Sequence, residues 1–279
     1  VIKRQTVDGI RKMKVAGERI PMLTVYDYPS ALIAERAGIP MLLVGDSAGM
    51  VVHGYDTTLP MTVDDMILHA KMVTRASRSA LVVVDLPFMS YATMPDAISS
   101  ARRVMQEGGG QAIKLEGGQE ILPMVNHLTA MGVPVMGHLG LTPQAQHQIG
   151  LKVQAREASA ARQLLDDAVA LEQAGAFAIV LEVVPAPLAE VITKRLSIPV
   201  IGIGAGPHCD GEVQVWHDIL GLYDNKTPRH AKRFAEIGAA IEKTVREYAE
   251  DVRAGVFPTS AQSASMPLDT LNEVLTADC

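Results

Sequence analysis

Met41-Leu42-Leu43-Val44-Gly45-Asp46-Ser47 is an apolar run that ends on a glycine, an acid and a hydroxyl. A short run of this kind reads as a parallel strand buried on both faces, and the polar pair then falls just beyond its C-terminal end, where α/β enzymes gather their chemistry. The same grammar recurs down the chain. Leu81-Val82-Val83-Val84 runs into Asp85, Ala112-Ile113-Lys114-Leu115 into Glu116, Val133-Pro134-Val135-Met136-Gly137 into His138, and Ala178-Ile179-Val180-Leu181 into Glu182. A single acid in such a place is well explained as the cap of the next helix. A series of them is not, because parallel strands laid side by side bring their ends to one mouth.

Working outward, the spacing predicts a (β/α)₈ TIM barrel. Thr6 to Ala16 has a helical period with Thr6 as N-cap and is expected to plug one end of the barrel. Ile20 to Tyr26 and Met41 to Val44 are the first two strands, and the Gly-, Thr- and Pro-rich stretch from Gly49 to Thr62 is a loop above the mouth. Thr62 caps a helix through Arg75 whose first turn carries Asp64 and Asp65, so these two acids read as structural. Strand seven is Pro199 to Ile203, and strand eight lies within Val213 to Leu220. Arg229 to Arg253 reads as an amphipathic helix that covers the barrel or packs on a neighbouring subunit, and residues 256–279 as a loosely ordered tail. The whole chain, 1–279, is therefore one barrel domain with a C-terminal helical extension.

Composition fits this frame. With 279 residues, 48% of them apolar, the chain can bury one large core. The net charge of −6 and the scattered Lys/Arg pairs, Lys3-Arg4 and Arg102-Arg103, give no basic footprint for nucleic acid. Two cysteines, Cys209 and Cys279, supply neither a disulfide framework nor a metal spacing, and no apolar run reaches the roughly 18 residues of a membrane span. The expectation is a soluble cytoplasmic protein.

Asp46 and Asp85, with Glu116 close by, are hard oxygen ligands unaccompanied by cysteine or a tight histidine pair, which suits Mg²⁺ rather than zinc. Two carboxylates leave positions for a bidentate 2-oxo acid. Lys114, set among apolar residues, must point into the mouth and be paired, with Asp85 and Glu116 as the obvious neighbours, unless its strand is an exposed edge. His138, between glycines, is either a structural hydrogen bonder or a ligand contact. Glu182, delivered by an apolar strand from the other side of the barrel, is the candidate base. The cluster Gly202-Ile203-Gly204-Ala205-Gly206 lacks the spacing of a dinucleotide site and instead clears space beside a ligand.

These runs, together with Gly54-Tyr55-Asp56-Thr57-Thr58-Leu59-Pro60, Lys114-Leu115-Glu116-Gly117-Gly118 and Gly137-His138-Leu139-Gly140-Leu141-Thr142-Pro143-Gln144, closely resemble the ketopantoate hydroxymethyltransferase family from about Thr6 to Phe257. The resemblance implies transfer of a hydroxymethyl group from 5,10-methylenetetrahydrofolate to 3-methyl-2-oxobutanoate, giving 2-dehydropantoate for pantothenate. It implies one Mg²⁺ per subunit on Asp46 and Asp85 with Glu116 nearby, substrate contacts from Asp46, Ser47, Asp85 and Lys114, a hydrogen-bonding His138, and Glu182 as proton acceptor. It also implies a homo-decamer of two stacked pentamers that exchange C-terminal helices. The chain departs from the family pattern at 148–153, one residue shorter, at Ala48 and His53, and at Glu212 in place of Gln. These positions bear on loop closure and folate contacts, not on the metal or the base. A second reading is a Mg²⁺-dependent lyase or mutase of the isocitrate lyase and phosphoenolpyruvate mutase type, but those enzymes share a Cys-containing loop after a strand and no cysteine here precedes Cys209. A barrel kept only for binding or scaffolding would be expected to lose the acids at its strand ends, and they are all present.

Overall fold

Alternation of side chains along each strand decides what this barrel holds inside. In the computed structural model, which describes residues 4–223 and 228–276, the strands β1 (Ile20–Thr24), β2 (Met41–Val44), β3 (Leu81–Asp85), β4 (Ala112–Glu116), β5 (Val135–Gly140), β6 (Ala178–Glu182), β7 (Val200–Ile203) and β8 (Gly211–Val215) pair in parallel and in sequence order. β8 closes on β1. One set of alternate residues, including Met41, Leu43, Leu81, Val83, Ala112, Met136, Ala178, Val180 and Ile201, packs into a single inner cluster. The other set, Leu42, Val44, Val82, Val84, Ile113 and Leu115 among them, packs outward against the helices. Parity matters for the chemistry. Two residues on from Val83 lies Asp85, two and four on from Ala112 lie Lys114 and Glu116, two on from Met136 lies His138, and two on from Val180 lies Glu182. All five polar residues thus continue the inward-facing series at the C-terminal end of the barrel.

The opposite end is closed as expected. Helix Val7–Val15 is capped by Thr6, whose hydroxyl accepts from the amide of Gly9, and it drives a fully buried Ile10 into the inner cluster with Val7 and Met13 beside it. Burial of a side chain this size contributes about 1.5–3 kcal/mol, which fixes the plug in place. Helix Val63–Ala76 begins at a reciprocal capping box between Thr62 and Asp65, and Asp64 pairs with Arg103 at 2.6 Å, so both acids have structural partners.

Four stretches differ from expectation. The strand within Val213 to Leu220 is Gly211–Val215, and Trp216–Leu220 is a helical turn that ends where Gly221 enters the left-handed region at φ 58°. Ala48–Val51, at the start of the expected loop, is a single turn of helix. The helix placed at Arg229 to Arg253 begins only at Ile237, because the amide of Phe234 is taken by the carbonyl of Ile219 and the chain is tied to the barrel there instead of winding on itself. Within 256–276 there is a 3₁₀ turn at Ser260–Gln262 and an exposed helix at Leu268–Thr276 rather than a featureless tail. Lys3 and Cys279 lie outside the described residues. Among the described residues no helix is long and apolar enough to cross a membrane.

Candidate active site

Register sets the contacts at the mouth. Lys114 stands opposite Asp85 across the β3–β4 pair, and Glu116 opposite His138 across β4–β5. The Lys114 ammonium accordingly lies 2.9 Å from Asp85 Oδ1, with both side chains only 4% exposed. The buried lysine is an inward residue with a partner, not an edge residue. Burial works against its charge, but Asp85, Glu116 and Asp46 around it outweigh that and raise its pKa above the ordinary lysine value. His138 lies between two acids, with Nδ1 3.3 Å from Glu116 Oε1 and Nε2 3.2 Å from Glu182 Oε2. The second approach is close enough for charge attraction but lacks the alignment of a hydrogen bond. Burial and the neighbouring Lys114, 3.2 Å from Nδ1, oppose a charged imidazole, yet the two carboxylates prevail and push it up to about 9. In its charged form the ring faces a carboxylate at each nitrogen, Glu116 at Nδ1 and Glu182 at Nε2.

Asp46 is held differently. Its backbone amide donates to Asp85 Oδ2 at 3.1 Å. Gly45 has no room for a side chain, since a Cβ there would fall 2.8 Å from Ser47 Oγ and 2.9 Å from Thr24 Cγ2. Burial, then the charges of Asp85 and Glu116, raise the Asp46 carboxyl well above its usual range, and Asp85 is raised as well, by burial, against the pull of Lys114. Glu116 goes the other way: its contacts with His138, Lys114 and the Gln144 amide overcome burial and hold it low. Ser47 Oγ is 2.8 Å from the hydroxyl of Tyr26, a phenol that burial keeps firmly protonated.

The backbone around Glu182 is unusual. Val183, directly after it, sits at φ 49°, a left-handed conformation that a β-branched residue rarely adopts. The Val183 amide donates to Ile203 and its carbonyl accepts from Gln154, which together hold the turn. Across the sheet, Gly140 at φ 93° leaves room for the Glu182 carbonyl, which a Cβ would meet at 2.3 Å, and Leu141 donates to that carbonyl at 2.8 Å.

Asp46, Ser47, Asp85, Lys114, Glu116, His138 and Glu182 open onto one cavity of about 510 Å³, with Met50, Val51, Leu151 and Val153 among its apolar walls. Sequence reasoning brought Asp46, Ser47, Asp85, Lys114, Glu116, His138 and Glu182 to this place, and every one of them is there. It gave no role to Gln144, whose amide contacts Asp46, to Tyr91 behind it, or to Tyr26. Gln144 was visible only as a letter in the Thr142-Pro143-Gln144 run. No periodicity marks such a residue. Of the departures, Ala48 is fully buried, His53 meets His69 with Nε2 atoms 2.8 Å apart, and Glu212, pushed up to about 7 by burial, contacts Gln214.

The donor set has the charge of a cation site. Asp46, Asp85, Glu116 and Glu182 gather around Lys114 and His138, and burial, with Glu116 beside both aspartates, raises the Asp46 and Asp85 carboxyls. Hard oxygens from two aspartates suit Mg²⁺. Among the described residues no three His, Cys, Asp or Glu side chains converge as a set able to hold a metal, and Glu116 is turned to His138 and the Gln144 amide. Asp46 and Asp85 line the same cavity, with the oxygens of Asp85 also engaged by Lys114 and the Asp46 amide.

Solved structures of phosphonopyruvate hydrolase with oxalate and Mg²⁺ (TM-score 0.62, 13% identity, covering 98% of this chain and 97% of that one) and of 2,3-dimethylmalate lyase (TM-score 0.57, 17% identity, 98% and 97%) share the barrel fold, and at such identity the fold alone. Sequence relatives go further. The 3-methyl-2-oxobutanoate hydroxymethyltransferase of Gluconacetobacter diazotrophicus is 66% identical over 275 residues, 99% of this chain and 100% of that protein, and the enzyme of the same name from Chloroflexus aggregans is 57% identical over 94% of each. The ketopantoate hydroxymethyltransferase family model matches residues 4–260, which spans the barrel and the helix Ile237–Arg253, and the chain belongs to that family.

Proposed function

We propose that the barrel mouth binds 3-methyl-2-oxobutanoate through its carboxylate and keto oxygens beside Asp46, Ser47, Asp85 and Lys114, and that Glu182 removes its C3 proton. Membership of the family makes the chain an enzyme, a hydroxymethyltransferase that forms ketopantoate. The observation that carries the residue roles is the placement of Glu182 and of the Asp46–Asp85 pair on one cavity, joined through His138 and Lys114.

Asp46 and Asp85 would hold Mg²⁺, with Glu116 nearby. A bound Mg²⁺ supplies a Lewis acid toward the two oxygens of the 2-oxo acid. The protein does the rest. Lys114, kept cationic by the acids around it, faces negative charge that develops at the keto oxygen. His138, whose pKa is raised by the carboxylates around it, keeps the carboxylate of Glu182 close, ready to accept the proton. Water cleaves the two C–N bonds at the methylene carbon of 5,10-methylenetetrahydrofolate, its protons passing to the folate nitrogens and its oxygen staying on the carbon at the level of formaldehyde; the C3 carbon adds to that carbon, the resulting alkoxide takes up the proton removed from C3, and tetrahydrofolate leaves. The apolar walls fit the isopropyl carbon of the substrate. Assay of hydroxymethyl transfer with and without EDTA tests the reading: activity should vanish with EDTA and return with Mg²⁺, and EDTA-resistant turnover would refute the metal's part in it.

We place the reaction in the cytoplasm, in keeping with the free, buried Cys209. A homo-decamer fits the apolar face of helix Ile237–Arg253, where Ile241, Val245 and Tyr248 are exposed, as are Leu268 and Leu275 of the last helix. Faces of this kind are normally covered. Truncation from Ala231 onward is expected to yield smaller assemblies by light scattering. A truncated protein of parental assembly size would remove these helices from the interface.

A further inference from the structure

One residue outside the proposed ligand set touches three strand ends at once. Gln144, 7% exposed, donates from side-chain Nε2 to Asp46 Oδ2 at 2.8 Å and to the Leu86 carbonyl at 2.9 Å, accepts at Oε1 from the Tyr91 hydroxyl at 2.7 Å, and donates from its backbone amide to Glu116 Oε2 at 3.0 Å. Tyr91 also donates toward the Glu116 carbonyl at 3.2 Å. Both amide hydrogens and the amide oxygen are therefore used, and the amide has one orientation only. Turned over, its oxygen would face a carboxylate and a carbonyl, two acceptors, while its NH₂ would lose both partners. A buried amide so arranged is costly to disturb, because any partner left behind is buried and unpaired.

The consequence falls on Asp46. Its neighbours at the mouth are acids: Asp85 accepts from its backbone amide, and Glu116 stands on the far side of Gln144. A carboxylate among carboxylates has no electrostatic reason to keep one rotamer, and Lys114 is already engaged by Asp85. The Gln144 amide is the neutral donor that ties down one oxygen of Asp46, Oδ2, and so leaves the other to face the cavity. We infer that Gln144 is a positioning residue, which through a fixed amide held by Tyr91 and Leu86 aims Asp46 at the divalent cation and the 2-oxo acid. The inference rests on the proposed role of Asp46.

The test compares Gln144→Met, close in shape but without a donor, Gln144→Glu, which places an acceptor against Asp46, and Tyr91→Phe, which removes only the hydroxyl behind the amide. Binding of Mg²⁺ alone is measured by calorimetry on the full-length protein, with KM for the 2-oxo acid and kcat measured separately. Gln144→Met is expected to weaken Mg²⁺ about tenfold or more and to raise KM by a similar factor, with kcat at saturating Mg²⁺ changed less. Gln144→Glu should be worse and Tyr91→Phe milder in the same direction. Asp46→Asn is run beside them. If Asp46→Asn loses Mg²⁺ binding while Gln144→Met and Tyr91→Phe stay within twofold of the parent, the inference is overturned and the metal assignment stands. If Asp46→Asn also binds Mg²⁺ as the parent does, both fall. Should Gln144→Met not fold, Tyr91→Phe decides alone, since it leaves every contact of Asp46 in place.

Discussion

Asp85→Ala is expected to abolish turnover and to remove measurable Mg²⁺ binding, while costing the fold several kcal/mol as well. Both effects come from the same side chain. Asp85 is one of the two carboxylates proposed to hold the ion, so its loss removes half of the proposed protein ligands and a negative charge that favours a divalent cation. It is also the partner of a lysine that is 4% exposed, and breaking a buried pair from one side typically costs about 3–5 kcal/mol because the remaining charge stays buried. Glu116 and Asp46 also attract Lys114, which moderates the loss. Asp85→Asn separates the two contributions: it keeps the shape, leaves an oxygen for Lys114, and should retain most stability yet still bind Mg²⁺ weakly. Calorimetric titration and thermal melting read each in turn. Full activity of Asp85→Ala in the presence of chelator would remove this residue from the metal site.

How the fold was legible in the sequence follows from what each signal depends on. A parallel strand buried on both faces has to be apolar almost throughout, so Leu81 to Val84 and Ala178 to Leu181 announced themselves, and the inward parity of Asp85 and Glu182 followed from a period of two that admits no alternative once the barrel closes. Lys114 was readable for the same reason. In a strand buried on both faces an ammonium must be paired, and strand order supplied Asp85 as the neighbour. The helix near the C-terminus was overextended because Phe234 continues the apolar spacing of Ile237 and Ile241, whereas the helix start was decided by a tertiary hydrogen bond from Phe234 to Ile219 that no local pattern encodes. Strand eight starts two residues ahead of the stretch expected to hold it, at Gly211, and ends at Val215, where Trp216 to Leu220 form a helical turn closed by the left-handed Gly221.

Within the site, residue types that are rare in a core were legible and residue types that are common in loops were not. Acids, a lysine and a histidine at strand ends stand out against apolar surroundings. Gln144 does not, since a glutamine after Thr-Pro is ordinary loop chemistry until its amide is found beside Asp46. Tyr91 and Tyr26 were equally silent, because a tyrosine with an apolar body shows its polar purpose only through the partner of its hydroxyl. The role of His138 was open between packing and contact, and the geometry joins the two: it is packed, and what it is packed between is Glu116 and Glu182. Val183 at φ 49° carries no sequence signal at all, as valine is the residue least suited to that conformation.

Glu182→Gln should separate binding from chemistry more cleanly than any other change in the mouth. The amide keeps the size and shape of the carboxylate but cannot accept a proton, and the side chain lies on the His138 side of the cavity, apart from the Asp46–Asp85 pair. Affinity for 3-methyl-2-oxobutanoate in the presence of Mg²⁺ is therefore expected to change by less than about tenfold, about 1.4 kcal/mol. Turnover should fall by about 10² to 10⁴, the usual contribution of a positioned general base. The decisive measurement omits folate. Substrate deuterated at C3 exchanges into water only if the proton is removed, so the parent enzyme should wash the label out and the variant should not, although both bind it. His138→Asn provides the companion result: with the imidazolium gone, Glu182 loses the charge that holds it in place, and exchange should slow while the acid itself remains. Exchange at the parental rate in Glu182→Gln, with only the complete reaction impaired, would move Glu182 to the transfer step. In that event the base must be sought among the other carboxylates of the same cavity, where Glu116, the acid nearest the other nitrogen of His138, is the first to test.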